Sequence, residues 1–335
     1  MATYKQIFGK QVKFLSADPP AASGEGQVWY NSTSNTFKTS LNLGGVWSSG
    51  NALNTGRLAL GGTGTQAAGF AISGILGHPT SSPPNMVTQS EDYDGTSWTV
   101  APSVGAGRYT MGTAGTQTAA LINKGYGPSA PALSSTETYD GSSWTAGTAS
   151  NFYATNVGSG GTQTSAVIFA GSEAPGITDR TEEWDGSTWT NTGTLGTARY
   201  QMSGNNIGTQ TAGLAAGGLS PAPPAATKTE HYDGSSWTAG GTIPGSGNGN
   251  AARFGLQTAA IMASGSYAPT TAAFSYDGTA WAVIGSIATG RGQSAGCGST
   301  TAGVMFGGEI SPQVGQILSE EYNDPTISIQ TVTTS

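Results

Sequence analysis

Five glutamates, Glu91, Glu137, Glu182, Glu230 and Glu320, stand two residues before an aromatic, and Arg57, Arg108, Arg199 and Arg291 recur nine to eleven residues ahead of a short polar mark. A carboxylate near a cation is raw material for general acid–base catalysis. A catalytic centre is built once in a chain, however, so residues repeated four or five times serve the repeating unit. By strand alternation each Glu shares a face with its aromatic, and ion pairs or hydrogen bonds between units are the expected role. Asp94, Asp140, Asp185, Asp233 and Asp277 each precede a Gly and read as turn residues. His231, between Glu230 and Tyr232, reads as an exposed strand residue, and His78 sits alone in a Gly-His-Pro loop. Cys297, the single cysteine, lies between glycines and reads as a buried, inert thiol. No His, Cys or carboxylate pair has metal spacing, and there is no phosphate loop or nucleophile elbow. The expectation is a protein without catalysis, metal or cofactor.

The elements that hold these residues are repeats. Residues 93–99 read YDGTSWT and return at 139–145, 184–190, 232–238 and 276–282, with a truncated copy at Tyr322; the steps are 46, 45, 48, 44 and 46 residues. An Asp-Gly between aromatic-bearing runs signals a β-hairpin, because Gly supplies positive φ at a tight turn. Tyr93, Tyr139, Tyr232, Tyr276 and Tyr322 on one arm, and Trp47, Trp98, Trp144, Trp189, Trp237 and Trp281 on the other, are the expected structural groups between units. A second element recurs as Thr65-Gln66, Thr116-Gln117, Thr162-Gln163, Thr209-Gln210 and Leu256-Gln257, with a weak sixth at Thr300-Thr301, each leading into a small or apolar run. Such a run bounded by Gly is expected to be a buried inner strand.

The array starts on a second arm, Val46-Trp47, and ends on a first arm, Glu321-Tyr322. Joined in space, the two halves complete one hairpin, as in a circular array whose N-terminal strand closes the last blade. Six inner elements and six hairpins, with room for about four strands per unit, predict an all-β fold: a six-bladed β-propeller closed by an N-terminal strand. The order of apolar strand, Gly, loop, Glu-x-Tyr arm, turn and Trp arm resembles the kelch repeat over residues 44–324, with its double Gly kept at Gly217-Gly218 and Gly307-Gly308 and a single Gly elsewhere. The Asp box of sialidases differs, since there a residue separates Asp from Gly.

With 53 Gly and only 9% charged residues, the chain predicts a neutral, hydroxyl-rich surface. The balance of 12 basic to 19 acidic residues argues against nucleic acid as a partner. No apolar run near the N-terminus suits a signal peptide or membrane span, so synthesis in a host cytoplasm and no membrane insertion are expected.

Residues 1–43 read as a small β attachment module, residues 44–324 as the propeller and residues 325–335 as a C-terminal tail. After the linker-like stretch 19–24, residues 27–39 (QVWYNSTSNTFKT) read as a separate hairpin. The pattern over residues 18–39, a Pro-containing stretch, Gly-x-x-Trp-Tyr-Asn, a polar turn and a Phe-Lys arm, resembles a short element of bacteriophage fibre and appendage proteins. The resemblance implies a virion location, partners among other virion proteins reached through residues 1–43, and a homo-oligomer, with trimers the frequent form. The loops after the inner strands differ from unit to unit, which is where recognition resides on a repeated scaffold. His78, Tyr126 and Tyr267 are the ring candidates for stacking on a host-surface glycan or peptide. Arg180, beside Asp179 and near Glu173, is the one unrepeated charged cluster. A tail-fibre or capsid-decorating protein is the leading reading, a non-viral propeller lectin or adaptor the second, and a propeller hydrolase or lyase built on Arg180 the third.

Overall fold

The steady period resolves into six four-stranded antiparallel sheets. The computed structural model describes residues 13–17, 28–41, 45–77, 85–128, 132–202, 206–220, 227–245, 249–265, 270–310, 314–324 and 328–331. His78 and Tyr267 lie outside them. Blade 1 runs Gly61–Thr65, Ala68–Ile72, Ser90–Tyr93 and Trp98–Ala101, and blades 2 to 5 repeat that order. Blade 6 takes Ala295–Gly298, Ala302–Phe306 and Ser319–Asn323, and its fourth strand is Val46–Gly50. Each first strand neighbours the first strands of the two adjacent blades, so the six form a closed ring. The chain is an all-β, six-bladed β-propeller closed by a strand from its N-terminal side.

Local chemistry explains the layers. First strands are rich in Gly, Ala, Ser and Thr because they crowd around the axis. Second strands such as Ser165–Phe169 are buried along nearly their whole length, as an apolar run requires. Third and fourth strands pair aromatic to aromatic, with Tyr93 opposite Trp98, Tyr139 opposite Trp144, Trp184 opposite Trp189, Tyr232 opposite Trp237 and Tyr276 opposite Trp281. Each outer Trp then leans on the preceding blade. Trp98 meets Phe306 at 4.8 Å, Trp144 meets Phe70 at 6.0 Å and Trp237 meets Phe169 at 4.7 Å.

The hairpin turns are longer than the two-residue turn that Asp-Gly suggests. Between Tyr93 and Trp98 lie four residues, and Asp94 Oδ1 accepts the backbone N–H of Thr96 at 2.8 Å and of Ser97 at 2.6 Å. The aspartate side chain thus replaces the backbone partner these amides would need, while Gly95 takes φ +87°. All five Asp-Gly turns share this geometry.

A glutamine clamps each of blades 1 to 5 to the blade before it. Gln117 Nε2 donates to Gly69 O at 3.0 Å and Tyr93 O at 2.8 Å, capping two strands of blade 1 at once. Gln66, Gln163, Gln210 and Gln257 do the same to blades 6, 2, 3 and 4. Blade 6 has Thr300 at this position. Its seam with blade 5 also lacks the bond that Trp189, Trp237 and Trp281 make to Thr136, Thr181 and Thr229, each at 2.9 Å. Ala273 stands in the threonine's place, and the buried Trp47 Nε1 has no partner. That seam is held by apolar contact, with Trp47 at 6.3 Å from Phe254 of blade 5.

The chain divides into two compact units, Trp47–Asn323 and a smaller one made of Met1–Val46 with Asp324–Ser335. In the smaller unit Val28–Asn31 and Thr36–Leu41 form the hairpin expected at 27–39, turned by Asn31 Oδ1 accepting the N–H groups of Thr33 and Ser34 at 3.0 Å. Lys13–Leu15 adds in parallel to one edge. Ser328–Thr331, within the segment read as a tail, pairs antiparallel with Thr36–Leu41 on the other edge.

Gln117→Ala removes two hydrogen bonds from buried carbonyls and is expected to lower stability in urea by about 1–3 kcal/mol. Ala273→Thr supplies Trp47 Nε1 with an acceptor and is expected to raise it by about 1 kcal/mol. The turn aspartates give a pH signature. Asp140 is held down from 3.8 to about 2, first by the Ser142 hydroxyl and then by the amides of Ser142 and Ser143. A carboxylate lowered in the folded state contributes stability that is complete above its unfolded value and lost as the pH falls through the folded one. Carbon-detected NMR titration should place Asp140 near 2, and Ser142→Ala should move it back upward.

Candidate functional site

The repeated carboxylates are fully occupied by the scaffold. Glu91 Oε1 meets Arg57 Nη2 at 2.7 Å, and Oε2 accepts the Asn54 amide at 2.7 Å. Glu137, Glu230 and Glu320 repeat this division, one oxygen on Arg108, Arg199 or Arg291 and the other on the amide of Gly105, Gly196 or Ala288. Each Arg and each amide belongs to the connection entering the blade that carries the Glu. The expectation of pairs between blades is therefore corrected for these four: they tie the incoming connection to its own third strand. Their oxygens face partners rather than a ligand.

Blade 3 departs from the pattern. Ala154 stands where the Arg would be, and Glu182 takes its cation from blade 2. Lys124 Nζ lies 2.7 Å from Glu182 Oε2, 2.8 Å from Ser150 Oγ and 2.5 Å from Phe152 O. Both side chains of the pair are wholly buried. Burial lowers the Lys124 ammonium, and Glu182 opposes that shift. The ammonium also sits 3.6 Å from the centre of the Phe152 ring.

Beside this exchange the propeller face opens into a cleft of about 490 Å³. In each of five blades one residue of the incoming connection bridges one residue of the loop after the second strand. The pairs are Leu58 with Ile75, Tyr109 with Tyr126, Thr155 with Ser172, Tyr200 with Leu219, and Gly292 with Glu309. The aromatic pair of blade 2 adjoins the small pair of blade 3, and the step between them is the cleft. Tyr126 forms one wall, Thr155 and Ser172 the floor, and Tyr153 and Pro175 the remaining sides. Pro175 stands at the tip of a small hairpin, Ser172–Glu173 with Gly176–Ile177. Gly171 makes the approach beneath it possible: at φ +115°, a Cβ there would lie 2.7 Å from Thr155 O.

Of the sequence candidates, Tyr126 lines the cleft and Arg180 does not. Arg180 Nη1 pairs with Glu173 Oε1 at 3.1 Å, its side chain about half exposed, with the guanidinium 5.3 Å from the Phe152 ring. Tyr153, 47% exposed, was not among those candidates. Its signal was there to find: it is an aromatic at the position held by Gly56, Gly107 and Gly290 in other repeats. His231 is half-buried rather than exposed, its Nε2 2.6 Å from the Tyr276 hydroxyl of the next blade. The same neighbour-to-neighbour position joins Glu183 to Tyr232 at 2.8 Å. Cys297 is buried with its thiol pushed up to about 12 by desolvation, so it is not a nucleophile at neutral pH. Among the described residues no three His, Cys, Asp or Glu side chains converge as metal ligands.

Fold and site together define a β-propeller with an aromatic cleft on its loop face. No protein-family model and no curated protein matches the chain.

Lys124→Met strands the buried Glu182 and is expected to cost about 3–5 kcal/mol of stability, whereas Lys124→Met with Glu182→Gln should recover much of that loss. A double-mutant cycle by chemical denaturation reads the coupling directly.

Proposed function

We propose that this chain is a non-catalytic structural and recognition protein of a bacteriophage virion, a tail-fibre component or a capsid-decorating protein, whose propeller contacts other proteins or host-surface glycan. The observation that carries the reading is the placement of the hairpin 28–41. The residues that resemble phage fibre and appendage proteins form a compact unit of their own with the C-terminal strand, while the cleft lies wholly within the propeller unit. Attachment and display thereby have separate parts of the chain. In this reading residues 1–43 engage other virion proteins and further copies of the chain, a trimer being the form that the resemblance suggests. The likeness to kelch repeats supports a scaffold used for binding rather than for reaction, as does the engagement of every repeated Glu by amides and cations. The balance of 12 basic against 19 acidic residues also favours a ligand other than nucleic acid. The cleft would serve a free lectin or adaptor equally well, which is the second reading.

Removing residues 1–43 together with 325–335 takes away the smaller sheet without leaving its last strand unpaired. The expected outcome is a propeller that still melts cooperatively but no longer co-purifies with virions. Unchanged incorporation of this truncated protein would remove the virion role assigned to that unit.

A further inference from the structure

We infer that the cleft between blades 2 and 3 binds one neutral pyranose residue of a glycan, stacked against Tyr126 and Tyr153. This rests on the recognition role proposed above and adds the ligand class and the subsite. The volume of about 490 Å³ falls in the range of roughly 300–1,000 Å³ typical of small-molecule sites.

The aromatic wall is built in advance of any ligand. Tyr126 stacks on Tyr109 with ring centres 4.9 Å apart and planes 15° from parallel. The two residues also exchange backbone hydrogen bonds of 3.1 and 2.9 Å, so backbone and ring are both fixed. A tyrosine held this way offers a large amphipathic face at little entropic cost on binding. Tyr153 adds a second ring that is nearly half exposed. The C–H face of a pyranose is apolar and its edge carries hydroxyls, which matches a lining of two tyrosine rings with Thr155 and Ser172 beside them.

Charge decides between sugars. Among the described residues every side chain lining the cleft is neutral. The cations nearest the lining residues in sequence, Lys124 and Arg180, are already paired with Glu182 and Glu173. A sialic or uronic acid would bring a carboxylate to a site with no counter-charge, on a protein of net charge −7. An extended peptide is also disfavoured. Thr155 and Ser172 satisfy each other's backbone at 3.0 and 2.7 Å, which leaves no free edge on the floor for strand addition.

The test uses the purified full chain on an array of neutral glucose-, galactose-, mannose- and N-acetylhexosamine-based oligosaccharides, their sialylated and uronate-bearing counterparts, and proline-rich peptides, followed by titration calorimetry. Binding to a neutral oligosaccharide is expected, weakened about tenfold or more by Tyr126→Ala and by Tyr153→Ala, as truncation of an aromatic anchor does. Val100→Ala, at an exposed site on an outer strand, should bind as the parent does. Tyr153 is exposed enough that its variant reports binding rather than folding, which a melting curve verifies. Absence of neutral-sugar binding, preference for acidic sugars or peptides, or binding that survives both tyrosine variants would overturn the assignment. None of these readouts involves a particle, so they leave the virion reading to stand or fall on the truncation alone.

Discussion

Six backbone amides tie the connections between blades to one another in a closed ring. Two residues after each Arg position, the chain turns into the left-handed region at Ala59, Thr110, Asn156, Gln201, Asn250 and Gln293, with φ between 46° and 62°. These six sites are chained to one another. Thr110 N–H donates to Ala59 O, Asn156 to Thr110, Met202 to Asn156, Asn250 to Gln201, Gln293 to Asn250, and Ala59 to Gln293, over 2.7 to 3.2 Å. None of the six is glycine, so each costs about 1–2 kcal/mol of backbone strain, comparable with the net worth of about 1 kcal/mol for the hydrogen bond it makes. The ring therefore adds little stability. What it adds is continuity: each connection is tied to the next, and the first is tied back to the last. The apolar seams supply the stability.

A second set of left-handed positions explains why the repeat is hard to recognise by its glycines. After the second strand of five blades the chain takes two consecutive residues at positive φ. Gly217-Gly218 and Gly307-Gly308 meet that need directly, whereas Ser73-Gly74, Lys124-Gly125 and Ala170-Gly171 meet it with a side chain at the first position. In two of these the side chain is put to use: Ser73 Oγ accepts the Arg108 amide at 2.9 Å, and Lys124 carries the buried ammonium. The backbone requirement is constant and the letters are not.

That distinction sets what could be read before the structure. Blade number, the split sixth blade and the pairing of Tyr with Trp were legible because they depend on period and on large aromatics, which recur as letters. The turn role of the five aspartates was legible too, while the hydrogen bonds their side chains make to the following amides needed the structure. The direction of the Arg–Glu pairs was missed for a related reason: sequence gives the spacing of two groups but not which blade the intervening connection crosses. The cleft was half legible. Tyr126 stood out in a variable loop, while Tyr153 lay in a connection that looked uniform, visible only when its place among Gly56, Gly107 and Gly290 is compared.

The exceptions in the repeat are the informative part, because they come in sets. Blade 5 carries Phe274 at the Glu position and Asn248 at the sequence position that Arg holds for blades 1, 2, 4 and 6. Both members of the pair are gone, as they must be when an unpaired buried charge costs several kcal/mol. Blade 3 keeps Glu182 and loses only the Arg, and there Lys124 crosses from blade 2 to replace it. The incoming connection of blade 3 buries Phe152 against the ammonium and leaves Tyr153 exposed at the cleft. The candidate for recognition thus lies in the blade where the scaffold reroutes its ion pair.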